Sequence, residues 1–168
     1  MRGFTLLEIL ISFTIMSLIV AGIFAIINVA EMSWNSDMAF LDIQQQVRLA
    51  MDGMTREVRQ TKPSQITVSG GGGRIDFLLP KPTTGDYLIG YYLQGGRIIR
   101  EHPTGTTKIL ANYINTLSFC CCLNEDCTHY CTNCSNANAL RIQIQGTKTM
   151  RGRTATFPLT EKVMLRNE

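Results

Sequence analysis

The sequence predicts an α+β protein: a long N-terminal helix, membrane-spanning in its first half, packed on an antiparallel β-sheet domain. Three observations carry this. No proline interrupts residues 4 to 62. Apolar side chains in the second part of that stretch recur at three- and four-residue steps, the period of a helix. After Pro63 the pattern changes to short segments rich in β-branched and aromatic residues, parted by glycine clusters, as in hairpins.

The first element begins almost at the N-terminus. From Ile9 to Ala30 there are 22 residues without a charge, which at about 1.5 Å per residue make roughly 33 Å of helix. That length crosses the hydrocarbon of a bilayer. A cleaved secretory signal fits less well, because its apolar region runs about 7 to 15 residues and ends at a small-x-small site, and Asn28-Val29-Ala30 is a poor one. With Arg2 on the near side, the bias of basic flanks places the body of the chain outside the cytoplasm. One carboxylate, Glu8, stands just ahead of this span.

The helix is expected to continue amphipathically. Trp34, Met38 and Leu41, followed by Ile43, Val47, Ala50, Met51, Met54 and Val58, supply the apolar series, and Asp37, Gln44, Gln45, Arg48, Asp52, Arg56 and Arg59 the polar one. Gly22 and Gly53 are points of softening, and Pro63 ends the run because the residue before a proline is pushed out of helical geometry. Strands follow at 65–69 and 74–79 around a tetraglycine, and at 87–94 and 97–100 around Gly95-Gly96, a two-residue loop suited to positive φ. A further strand over 108–119 leads into a cysteine loop. The alternating Ala139 to Gly146 and a last segment from Thr154 close the domain, with Pro158 marking an edge or a bulge.

Composition bounds the function. At 168 residues, 45% hydrophobic and a formal charge of +3, the chain holds about one domain, and its basic residues are too scattered for a nucleic-acid footprint. Enzymatic chemistry has little to work with. His102 and His129 are the only near-neutral proton carriers and sit in loop-like settings; the glycine run lacks the lysine and hydroxyl of a phosphate loop; Asp76, Asp86, Glu125 and Asp126 lack the spacing of a calcium loop. No catalytic residue, cofactor or metal is assigned. Tyr91 and Tyr92 point to opposite faces of their strand. All six cysteines, Cys120, Cys121, Cys122, Cys127, Cys131 and Cys134, fall within fifteen residues. In an oxidising compartment they are candidate disulfides with 15 possible pairings; in a reducing one Cys127, His129, Cys131 and Cys134 suggest zinc; free thiols are the third option.

The stretch Arg2-Gly3-Phe4-Thr5-Leu6-Leu7-Glu8 resembles the prepilin signal of type IV pilins and the pseudopilins of type II secretion systems: a basic leader, a glycine, a phenylalanine, and a glutamate four residues on. The resemblance extends through the apolar segment. It implies residues 1–3 as leader, 4–30 as transmembrane and assembly helix, 31–62 as its amphipathic continuation, and 63–168 as an antiparallel β domain with a cysteine-rich loop at 120–134. It also implies a membrane peptidase that cuts between Gly3 and Phe4 and methylates the new amine of Phe4, an inner-membrane assembly platform, and other pilins or pseudopilins as filament partners. The chain would be single-pass in the inner membrane, its helix in contact with membrane lipid before assembly and its C-terminal domain periplasmic.

The resemblance gives Glu8 a partner. An acidic side chain at a bilayer centre costs about 2.5 to 3.5 kcal/mol, and less near the interface. A charge pair at 4 Å returns up to about 4 kcal/mol at an effective dielectric of 20, before desolvation. Pairing with an amine is therefore comparable in size with the penalty it offsets; the resemblance implies the amine of a neighbouring subunit, while a pair with Phe4 one turn away in the same chain and a plain preference for the positive end of the helix are the alternatives. The segment from Gln44 to Gln60 and the closing residues from Phe157 resemble J-type minor pseudopilins and W-type minor pilins. The cysteine-rich loop departs from that pattern, and the proline of major pilins is missing from the membrane helix. The rival reading is a binding module on an ordinary single-pass anchor.

Overall fold

A computed structural model describes residues 5–80, 85, 87–102, 105–123, 127, 134–150 and 152–165. One helix, α1 (Leu6–Val58), runs 53 residues without a break, passing straight through Gly22 and Gly53, the two expected soft points. Thr5 caps it in an extended conformation, its hydroxyl accepting the Glu8 N–H at 3.4 Å. Past Val58 the chain turns into a short 3₁₀ segment, Pro63–Gln65, where proline's fixed φ suits the first position.

Two antiparallel sheets follow. The first is a five-stranded meander in chain order, β1 (Ile66–Ser69), β2 (Arg74–Leu79), β3 (Tyr87–Gln94), β4 (Arg97–Glu101) and β5 (Thr107–Asn112); the second joins β6 (Ile114–Cys122), β7 (Ala139–Met150) and β8 (Arg153–Met164). The hairpin between β3 and β4 turns on Gly95 and Gly96 at φ 56° and 71°, the left-handed pair that a two-residue loop needs.

Three features differ from the sequence expectation. The strand expected over 108–119 is two strands in different sheets, parted at Tyr113, whose φ of 61° swings the chain out of the first sheet. Its neighbours keep the ladder satisfied: Ile114 N–H donates to Gly96 at 2.9 Å, and the Tyr113 carbonyl accepts Thr147 N–H at 2.8 Å. Cys120, Cys121 and Cys122 belong to β6 rather than to a loop. Trp34, Met38 and Leu41 are 68%, 50% and 55% exposed. Helical phase explains this, since Leu41 and Ile43 are about 200° apart, so the early apolar residues lie on the side away from the sheets.

The buried face of α1 begins at Ala39 and runs through Ile43, Val47, Met51, Met54 and Val58. These pack with Phe77, Ile89 and Tyr91 from the first sheet and Phe119, Leu140 and Ile142 from the second into one core. Helix and sheet come close at Gly146, where a Cβ would stand 3.1 Å from Val47 and 3.3 Å from Ile43. Glycine is what lets β7 lie this near the Val47 and Ile43 side chains of the helix.

Candidate functional site

Every residue from Thr5 to Trp34 is exposed, so this part of α1 projects beyond the domain. From Leu6 to Val29 its large apolar side chains are exposed, and an 18-residue window there has a mean hydropathy of 2.6. This is the one helix among the described residues long and apolar enough to cross a membrane. Its hydroxyls between Leu6 and Val29 are satisfied within the helix: Ser12 donates to the Glu8 carbonyl at 2.8 Å, Thr14 to Ile11 at 2.7 Å and Ser17 to Thr14 at 2.8 Å. Such back-bonding lets hydroxyls sit in lipid at low cost. Glu8 occupies the first turn, exposed, where the helix dipole favours a carboxylate. Gly3 and Phe4, the expected cleavage and methylation positions, lie outside the described residues.

At the opposite end of the domain the cysteines come together. Cys121 pairs with Cys134 and Cys122 with Cys127 in disulfides, with Cα atoms 5.4 and 4.5 Å apart. Adjacent residues of a strand face opposite ways, so one pair enters the main core with Cys134 while the other forms a small separate cluster with Cys120 and Ala139. The Cys134 N–H also reaches the Ile66 carbonyl of β1 at 3.5 Å, which ties the second sheet to the first. Cys120 is buried, its sulfur 3.4 Å from the Cys127 carbonyl. Cys131 and His129 lie outside the described residues. Among the described residues no three of His, Cys, Asp or Glu are grouped to hold a metal.

The other singled-out residues have structural surroundings. His102 stacks on Tyr87 at 5.1 Å. Asp76 takes Arg74 at 2.7 Å, and the same guanidinium reaches Glu101 at 2.9 Å and lies over the Tyr92 ring. Asp86, Glu125 and Asp126 lie outside the described residues. Tyr91 is 1% exposed and Tyr92 half-buried, so the two do point to opposite faces.

Two polar contacts that orient the helix were not anticipated. Glu57 Oε2 accepts the Tyr91 hydroxyl at 2.5 Å and Arg100 Nε at 3.1 Å. Burial, and then the neighbouring Glu57 carboxylate, push the Tyr91 phenol well above its usual range. Further toward the exposed apolar half of α1, Lys148 Nζ donates to Asp42 at 2.6 Å. That bond and one from Gln46 hold the Asp42 carboxyl below its ordinary value. Gln46 also accepts the Asn112 N–H at 2.7 Å. The available sequence signal for Glu57 was its phase, three residues after Met54 and seven after Ala50, which places it on the buried face.

Residues 1–24 match a family model described as the prokaryotic N-terminal methylation motif. The match covers the start of α1 and none of the strands. No curated protein matches the chain. A motif of this kind on an exposed apolar helix that continues into an α+β domain supports a protein of the type IV pilin and pseudopilin family.

Proposed function

We propose that the chain is a non-enzymatic minor subunit of a type II secretion pseudopilus or a type IV pilus. It is made as a precursor, cut between Gly3 and Phe4 by prepilin peptidase, N-methylated at Phe4 and held in the inner membrane with its domain in the periplasm. Assembly with other pilins or pseudopilins follows through helix packing, Glu8 meeting the freed amine of a neighbour. The methylation motif at residues 1–24 carries this reading. The uncovered apolar face from Leu6 to Val29 supports it, because in water such a surface is prohibitive, whereas in lipid or against like helices it is matched. The missing proline in the membrane helix and the likeness of Gln44 to Gln60 favour a J-type or W-type minor subunit. The paired cysteines fit an oxidising periplasm.

Mass spectrometry of the native N-terminus tests the reading. N-methyl-phenylalanine at Phe4 is expected, and an intact Met1 in purified material overturns it in favour of a plain anchored module. Glu8→Leu should insert normally but enter filaments poorly in a pull-down of assembled polymer. Wild-type incorporation of that variant would remove charge pairing from the account.

A further inference from the structure

The apolar surface of α1 ends on a slant. Ile23, Ile27, Ala30, Trp34, Met38 and Leu41 follow one another at steps of three and four residues, and at about 100° per residue all lie within about 40° of Trp34 around the helix. All six are exposed. Elsewhere around the helix polar residues enter sooner: Asn28, Ser33, Asn35 and Ser36 stand about 100° or more from Trp34, while Glu31 and Asp37 flank the stripe at about 60°. One side therefore stays apolar through Leu41, and the rest gains polar groups from Asn28 on. The sheets pack on the reverse side. Ala39, Ile43, Val47, Ala50 and Met54, all buried, lie about 140 to 180° from Trp34.

Length already asks for a lean in a bilayer. The 22 uncharged residues from Ile9 to Ala30 make roughly 33 Å against a hydrocarbon core of about 30 Å. Membrane helices tilt by about 20° on average and by up to about 40°, in a direction set by interfacial anchors and packing partners. Trp34, the only tryptophan in the chain and 68% exposed, stands about 6 Å past Ala30 along the axis. On the low side of a helix about 11 Å across, at tilts of about 20 to 40°, its ring comes roughly 1 to 4 Å beyond the level of Ala30. The headgroup layer there is roughly 5 to 7 Å thick. An indole suits that layer, since its ring is apolar and its N–H donates to water or to headgroup oxygens. The opposite lean lifts Trp34 to about 8 Å, out of the layer. It also lowers Asn28 into hydrocarbon and turns the sheets toward the leaflet.

We propose that Trp34 seats in the lipid headgroup layer and sets the direction in which α1 leans, so that the helix tips onto its Trp34 side and carries the sheets on its upper side. Met38 follows at the outer edge of the layer. This rests on the membrane-anchored reading above and gives the orientation of the domain over the bilayer before assembly. The sheet face of the helix is kept off the lipid, and the stripe that ends at Leu41 is laid toward it.

The test uses the full chain at low density in phosphatidylcholine vesicles. Depth is read from quenching of tryptophan fluorescence by nitroxides at the headgroup and at a shallow and a deep acyl position. Trp34 is its own probe, and a Trp34→Phe, Met32→Trp variant moves the probe to a site about 160° away around the helix and about 3 Å nearer the centre of the span along the axis. Met32 is exposed and lies outside the packed face, so the fold is expected to persist and is checked by circular dichroism. In an upright helix the probe at position 32 is deeper by about 3 Å. With the proposed lean the order reverses: Trp34 is deeper by about 1 to 5 Å, and the shallow nitroxide quenches it several-fold more than the deep one. Equal depths, or a deeper position 32, overturn the proposal. So does a Trp34 depth that arises only as the density of chains rises, the mark of a neighbouring helix on the stripe. Resistance to alkaline extraction reads the anchor separately: its loss overturns the membrane reading and the lean together, while an intact anchor with position 32 deeper overturns the lean alone.

Discussion

Glu57→Gln isolates the charge at the junction of helix and sheet. Both donors, the Tyr91 hydroxyl and Arg100 Nε, converge on the same oxygen, and a glutamine can present an oxygen to both. Shape and hydrogen-bond count are thus nearly retained. What is lost is the charge-assisted character of the Tyr91 bond, worth about 1.5 to 3 kcal/mol with an ion and about 0.5 to 1.5 without, and the ion-pair part of the Arg100 bond, which keeps its charged donor. In addition the Arg100 guanidinium, its side chain only 17% exposed, is left without a counter-ion. A loss of about 2 kcal/mol is expected. Urea unfolding of the detergent-solubilised chain, followed by near-ultraviolet circular dichroism of the tyrosines, would show it as a midpoint lower by about 1 M, for a slope of 1 to 3 kcal/mol/M. Pairing the change with Arg100→Met in a double-mutant cycle should return a coupling of 1 kcal/mol or more. A loss under about 0.5 kcal/mol with additive single changes would refute the reasoning, because that is the behaviour of a solvated surface pair.

Three further outcomes follow from the same geometry. Gly146→Ala puts a methyl 3.1 Å from Val47 and should cost about 1 to 3 kcal/mol by overpacking, with Val47→Ala partly rescuing it in the same unfolding assay. Reduction of Cys121–Cys134, which closes a loop of sequence separation 13, should lower stability by about 3 kcal/mol on the loop-entropy account; the shorter Cys122–Cys127 loop should matter less, as Cys134→Ser against Cys127→Ser would show by thermal melting. Stability should fall at both ends of the pH scale. Asp42 is held below its ordinary value of 3.8, so its contribution is present above that pH and is lost as pH falls through the lowered value. With its side chain 39% exposed, solvent screening limits this to about 0.2 to 1 kcal/mol. Tyr91 is raised above 10.0, so its contribution is complete below pH 10 and is lost as pH climbs past that point; Tyr91→Phe should flatten the alkaline limb of a pH series of melting temperatures.

The helix, its length and its exposed apolar half were legible in the sequence because they depend on local properties: absence of proline, an uncharged apolar run and a 3.6-residue period all act within a turn or two. The same is true of the Gly95-Gly96 turn, and of Tyr91 and Tyr92 facing opposite ways. Tertiary structure decided what depends on partners distant in the chain. Trp34 and Met54 look alike by spacing, yet only the position of the sheets determines that one is exposed and the other buried. Tyr113 carries no mark of a strand break, since its left-handed backbone is held by Thr147 of β7 on its own carbonyl and by Gly96 of the β3–β4 turn on the next residue, Ile114. Six cysteines allow 15 pairings, and Cys121 with Cys134 became a particular pair when the register of β6 turned Cys121 toward the core. Glu57 met Arg100 across 43 residues of chain, a contact that exists only because the first sheet folds onto the buried face of the helix.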